Sequence, residues 1–189
     1  MSIEIWFVRH GHTAGNRSFY ICGRTDESLD LLGLQQAERC REKLYGHRFD
    51  AVYCSPLMRT KQTAMLATKD IIAPEIIYDE RLMERDYGPY EKKWGPLKMF
   101  KLWHYGHGYV RSKHGEEPLL SMEMRVSDFI EEIKAKHDGQ KVLIISHSGV
   151  ATMFDTILES RQRKGWFFKN FHMPNGGIVI FSTKSPTPV

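Results

Sequence analysis

Ile3-Glu4-Ile5-Trp6-Phe7-Val8-Arg9-His10-Gly11 is the stretch on which the reading of this chain turns. Six residues rich in branched and aromatic side chains predict a short β-strand. That strand delivers a cation, an imidazole and a glycine to one turn. A second apolar run, Val142-Leu143-Ile144-Ile145, delivers Ser146-His147-Ser148-Gly149 in the same way. In an open α/β sheet, ligands gather outside the carboxyl ends of the strands. Two strand-end histidines with arginines nearby therefore point to one anion-handling pocket, and the chemistry they suit is phosphoryl transfer.

Further strands are predicted at Ala51 to Cys54, Ile76 to Tyr78 and Ile178 to Phe181. Helical spacing links Leu34, Ala37, Cys40 and Leu44, and again Met122, Val126, Phe129, Ile130 and Ile133. Met58 to Thr68 holds helix formers with no Gly or Pro. Ser121 reads as an N-cap with Glu123 in the first turn, and Asp138-Gly139 as the end of that helix. Strands alternating with helices predict an α/β three-layer sandwich, its central sheet mainly parallel and flanked by helices. Residues 1–189 are read as one domain. About 88–118 the alternation breaks into glycines, prolines and aromatics, which reads as an insertion or lid at the sheet's carboxyl edge.

The 189 residues are 41% hydrophobic and 26% charged, the balance of a folded soluble chain. The net charge of +4 is dispersed among acidic neighbours, which argues against nucleic acid as a partner and for mild attraction of a small anion. No apolar stretch has membrane length, and the start of the chain lacks the pattern of a secretory leader, so a cytoplasmic location without membrane attachment is expected. Cys22, Cys40 and Cys54 form no pairing or zinc pattern and read as reduced thiols. His104, His107 and His114 lack accompanying ligands at a known spacing, so no metal and no cofactor are expected.

Phosphoryl transfer requires neutralised oxygens, an in-line nucleophile and a proton for the leaving oxygen. A neutral imidazole at His10 would attack phosphorus and form a phosphohistidine, dividing one hard displacement into two easier ones. Arg9 and Arg59 offer rigid forks of donors that match phosphate oxygens. His147 would donate to an oxygen whose charge grows in the transition state, and Gly11 allows close backbone approach.

Val8-Arg9-His10-Gly11-His12-Thr13 with Asn16 resembles the signature of the histidine phosphatase superfamily, the phosphoglycerate mutase-like enzymes. The resemblance continues in family order through Gly23-Arg24-Thr25-Asp26, Leu32-Gly33-Leu34, Ser55-Pro56-Leu57-Met58-Arg59-Thr60, Leu82-Met83-Glu84-Arg85-Asp86-Tyr87-Gly88, Ser146-His147-Ser148-Gly149 and Pro174-Asn175. It implies a phosphoglycerate mutase-like fold, a phosphohistidine at His10, a phosphate pocket of Arg9, Arg59 and His147, and Glu84 as proton donor. Asp86 and Glu91 are nearby carboxylates that compete for that last role. Asn16 and Arg24 are further phosphate-contact candidates, set against a local turn bond for Asn16 and an ion pair with Asp26 for Arg24. Two positions depart from the family pattern: His12, often Glu or Gln, and Ser148, usually the first of two glycines.

The activity so implied is hydrolysis of a phosphorylated small molecule or phosphopeptide. Phosphoryl return to a phosphoglycerate, as in cofactor-dependent mutases, is the alternative, and a non-catalytic phosphoprotein-binding role stands behind it.

Overall fold

A computed structural model describes residues 2–93, 111–112, 114–158 and 173–182. Five strands form one sheet: β1 (Glu4–Arg9), β2 (Ala51–Cys54), β3 (Ile76–Tyr78), β4 (Lys141–Ser146) and β5 (Ile178–Ser182). Their spatial order is β3-β2-β4-β1-β5. The first four are mutually parallel, and β5 runs antiparallel along β1. β4 is buried at every residue but its first, as expected of a strand covered on both faces.

The apolar residues of the strands alternate between two cores. On one face Ile5, Phe7, Val142, Ile144, Ala51 and Tyr53 pack against helices α4 (Leu119–Lys136) and α5 (Ser148–Leu158). On the other Val8, Val52, Cys54, Leu143 and Ile145 meet α2 (Leu31–Leu44) and α3 (Met58–Ala67). Phe7, Phe129, Phe154 and Phe181 interlock at edge or tilted angles in the first core. The expected three-layer sandwich with a mainly parallel sheet is thus present.

Two local expectations are corrected. The fourth helix begins at Leu119 after Pro118, so Ser121 lies inside it and caps nothing. Pro118 takes the N-cap position with no side-chain acceptor to offer, and its ring disfavours helical geometry in the residue before it, so the helix does not extend backwards. In α2 the inward positions are Gly33, Ala37, Cys40 and Leu44, while Leu34 is exposed. The reason is close backbone contact. A Cβ on Gly33 would lie 2.1 Å from the His12 carbonyl oxygen, and one on Gly11 would lie 2.4 Å from the Gly33 oxygen. These two glycines let the start of α2, capped by Asp30, press against the loop that follows β1.

Of the 88–118 segment, residues 94–110 and 113 lie outside the described residues, as do His104, His107 and the tail Ser185-Pro186-Thr187-Pro188. His114 sets its ring edge-on against Tyr90. No helix among the described residues is long and apolar enough to cross a membrane.

Because nothing flexible lies opposite Gly33, Gly33→Ala is expected to destabilise the fold by about 1–3 kcal/mol. Thermal melting should then show a midpoint lowered by several degrees; an unchanged midpoint would contradict this packing account.

Candidate active site

The sheet order places the chemistry. Arg9 pairs with Ser146 across β1 and β4, so His10 and His147 leave adjacent parallel strands at the same level. The His10 amide continues the ladder by donating to the Ser146 carbonyl, 3.0 Å away. On the far side of β4 the Ser55 amide donates to Ile145. Thus the carboxyl ends of three neighbouring strands present His10, His147 and Ser55 together. The imidazole centroids of His10 and His147 are 5.1 Å apart.

His10 is buried, and its Nδ1 lies 2.7 Å from the Gly11 carbonyl oxygen. A carbonyl only accepts, so Nδ1 carries the proton and Nε2 keeps the lone pair. Burial, then the Arg59 and Arg9 cations, hold the His10 pKa well below the ordinary histidine range, so the ring is neutral at neutral pH. The same causes, with His10 added, depress His147. His147 Nε2 lies 2.8 Å from Ser55 Oγ.

Arg59 is fully buried at the start of α3. Its Nη1 donates to the Thr25 carbonyl at 2.8 Å and its Nη2 to Gly23 at 2.7 Å. That carbonyl pair is itself held: Glu91 accepts from the amides of Arg24 and Thr25 and from the Thr25 hydroxyl. Arg9 donates through Nη1 to the Met173 carbonyl. Among the described residues, the buried nitrogens Arg9 Nε, Arg24 Nε and His147 Nδ1 have no hydrogen-bond partner. Buried donors in native proteins are normally satisfied.

Glu84 is the carboxylate that enters this cluster. Its oxygens accept from the Arg85 amide at 2.9 Å and the Gly149 amide at 3.0 Å, and its charge acts on both Arg9 and Arg59. A Cβ at Gly149 would sit 2.2 Å from Glu84 Oε1, so this glycine makes room for the carboxylate. The two rival carboxylates face elsewhere: Asp86 accepts from the Gly88 amide and Glu91 belongs to the Arg59 cradle.

Thr13 caps α1 (Ala14–Arg17) and Asn16 reciprocates from inside it: Asn16 Oδ1 accepts from the Thr13 amide and from Asn175 Nδ2, which also donates to the His10 carbonyl. Its turn bond is therefore real, and its own amide donors are not used in it. Arg24 makes no ion pair with Asp26, whose Oδ1 instead accepts from the Met58 amide. His12 turns to Asp30, its Nδ1 2.8 Å from Oδ2, with Arg17 on the same oxygen. Burial pushes the Asp30 pKa up, but the Gly33 amide, His12 and Arg17 outweigh it and hold the carboxyl at about 2. Burial and Glu27 push the Cys22 thiol up to about 12, and burial raises Cys54 to about 12, so neither is a nucleophile at neutral pH. No group of three or more potential metal-binding side chains occurs among the described residues.

Sequence reasoning assigned no role to Ser55, to Glu91 as a support for Arg59, or to the Glu117–Arg125 pair. Arg125 bonds both Glu117 and the Glu84 carbonyl, and Arg85 donates to the Glu117 carbonyl, which fixes the Glu84 segment to α4. Ser55 lay inside a quoted motif; Glu117 and Arg125 belonged to none.

Comparison with known proteins follows this geometry. The model of the histidine phosphatase superfamily, branch 1, matches residues 5–189. A metal-independent phosphoserine phosphatase of Arabidopsis thaliana is 33% identical over 154 residues, covering 78% of this chain and 65% of that one. A 2,3-bisphosphoglycerate-dependent phosphoglycerate mutase of Rhizobium johnstonii is 28% identical over 203 residues, covering 100% and 94%. The solved structure of Bacillus stearothermophilus YhfR shares the fold with a TM-score of 0.80 at 22% identity, covering 94% and 90%.

Both imidazoles are neutral in the fold but free to titrate once it opens, so below about pH 6.5 the unfolded chain binds protons that the folded chain does not. Their contribution to stability is therefore complete above that pH and is lost as the pH falls from there toward the folded values. Melting midpoints from pH 7 to pH 5 should fall less steeply in His147→Gln than in the parent; identical slopes would show that His147 is not held neutral.

Proposed function

The chain belongs to the histidine phosphatase superfamily, and on that footing we propose that it hydrolyses small phosphomonoesters through a phosphohistidine formed on His10. Its class is that of the phosphoric monoester hydrolases. The observation that carries the mechanism is the state of His10: buried, neutral, its Nδ1–H tied to the Gly11 carbonyl and its Nε2 left bare among cations.

In the first step Nε2 of His10 bonds to phosphorus as the ester P–O bond breaks. Arg9 and Arg59 neutralise the equatorial oxygens, and His147 donates a hydrogen bond to one of them. Glu84, protonated, gives its proton to the departing alkoxide oxygen. In the second step Glu84 takes a proton from water, the water oxygen bonds to phosphorus, and the P–N bond breaks. Phosphate leaves and the starting site is restored. Asn16 and Arg24 add contacts to the bound phosphomonoester, Gly11 admits it to the backbone, and no metal or cofactor takes part. The substrate is a phosphorylated metabolite or phosphopeptide met in the cytoplasm.

The mutase relative supports a second reading in which the phosphoryl group returns to a phosphoglycerate instead of water. Product analysis with 3-phosphoglycerate, with and without its bisphosphate, separates the two. Inorganic phosphate as product supports hydrolysis, and 2-phosphoglycerate supports the mutase.

His10→Ala is expected to abolish both turnover and acid-labile ³²P labelling, since the one other neutral imidazole of the cluster, His147, serves in this reading as a hydrogen-bond donor to the phosphoryl group and not as its attacker. Labelling that persists in this variant would remove His10 from the role. Glu84→Gln should slow an alkyl phosphate by about 100-fold or more while changing p-nitrophenyl phosphate far less, because only the poor leaving group needs the proton. Equal slowing of both would point to another donor.

A further inference from the structure

Of the two imidazoles at the site, only one has its protonation pattern dictated by a backbone carbonyl. His10 is fixed by Gly11, whereas the partner of His147 is a hydroxyl, which can donate or accept. His147 Nε2 and Ser55 Oγ are 2.8 Å apart, and neither residue has measurable exposure. The other ring nitrogen, Nδ1, is buried with no hydrogen-bond partner among the described residues, on a ring 5.1 Å from that of His10. Arg9 Nε is orphaned in the same surroundings.

We infer that Ser55 is a positioning residue: its hydroxyl donates to His147 Nε2 and thereby fixes the proton on Nδ1, where it meets the phosphoryl oxygen. Two observations orient the hydroxyl. The Leu57 amide points at Ser55 Oγ from 3.5 Å, a long contact that occupies the lone-pair side and turns the O–H toward the ring. Burial beside Arg59, His10 and Arg9 keeps His147 neutral, so only one nitrogen holds a proton and the two tautomers exclude each other. If the proton sat on Nε2, Ser55 would accept it, and a bare Nδ1 lone pair would face an incoming anion. That arrangement repels the ligand; the other binds it.

The strand register makes Ser55 available for this. It follows β2 immediately, and its amide is bonded to Ile145, two residues before His147 on β4. Hydroxyl and imidazole thus hang from adjacent parallel strands whose separation is set by the sheet, not by side-chain flexibility.

The inference rests on the phosphatase reading for its catalytic consequence, but the tautomer itself is measured without turnover. In ¹⁵N-imidazole NMR of the intact protein at neutral pH, His147 should show a protonated Nδ1 and a bare Nε2. An Nε2–H form would overturn the inference outright. Ser55→Ala should then give mixed tautomers, with kcat for phosphate release lowered about 10- to 100-fold and phosphohistidine still forming at His10, more slowly. Ser55→Thr, which keeps the hydroxyl, should restore most of the rate and the single tautomer. Parental kcat in Ser55→Ala, with the fold intact by melting, would also overturn it. Failure of the parent protein to release phosphate would count against the hydrolase reading alone, because the NMR pattern does not depend on it.

Discussion

One buried guanidinium group, that of Arg59, and one half-buried, that of Arg9, lie beside two buried imidazoles, and the electrostatics of that arrangement shapes everything around it. Burying a charge is unfavourable unless something compensates it. Arg59 is compensated by two carbonyls and by the fields of Glu84 and Glu27; Arg9 by one carbonyl and Glu84. A third and a fourth positive charge would be intolerable there, so both histidines stay neutral. Neutrality leaves each ring with one protonated nitrogen and one lone pair, the state that the proposed nucleophile and the proposed donor both require. The same excess of donors over acceptors leaves room for an anion and little reason for anything else to enter.

The supports of this cluster come from distant parts of the chain, and each is tied to another. Glu91 holds the amides of residues 24 and 25, whose flanking carbonyls hold Arg59. The Ser146 hydroxyl donates to the Leu82 carbonyl, joining the end of β4 to the approach of Glu84. Thr63 accepts from the Gly11 amide and donates to the Arg59 carbonyl, so the loop after β1 and the start of α3 share one hydroxyl. Because such bonds are mutually dependent, loosening one is felt at the reacting centre.

How much of this the sequence disclosed depends on the range of the interaction. The strands were legible because branched and aromatic residues in short runs respond to local conformation, and the two strand-end histidines followed from where those runs stop. α4 was legible on its buried face, since Met122, Val126, Phe129, Ile130 and Ile133 repeat at helical period, but not at its start. Leu34 misled for a different reason: periodicity counts apolar side chains, whereas α2 turns inward a glycine whose value is the absence of one. Asn175, Glu91 and the Glu117–Arg125 pair act across 32 to 165 residues through polar contacts that no hydrophobic pattern records. Their roles appear only once the sheet order is known.

The choice among Glu84, Asp86 and Glu91 shows why position in the fold, and not residue type, assigns a role. All three are carboxylates within eight residues of one another, and sequence offers each as the proton donor. Glu91 accepts from several donors on the Arg59 cradle, and both of its oxygens are occupied there. Asp86 closes a turn at Gly88. Glu84 has only two amides on it and lies within the field of both arginines, close enough to α5 that residue 149 must lack a side chain. Each Glu84 oxygen takes a single amide, which leaves lone-pair capacity on both, and of the three carboxylates it alone acts on both arginines, as the proposed proton carrier requires. The backbone amide of Gly149 holds one of those oxygens from the start of α5.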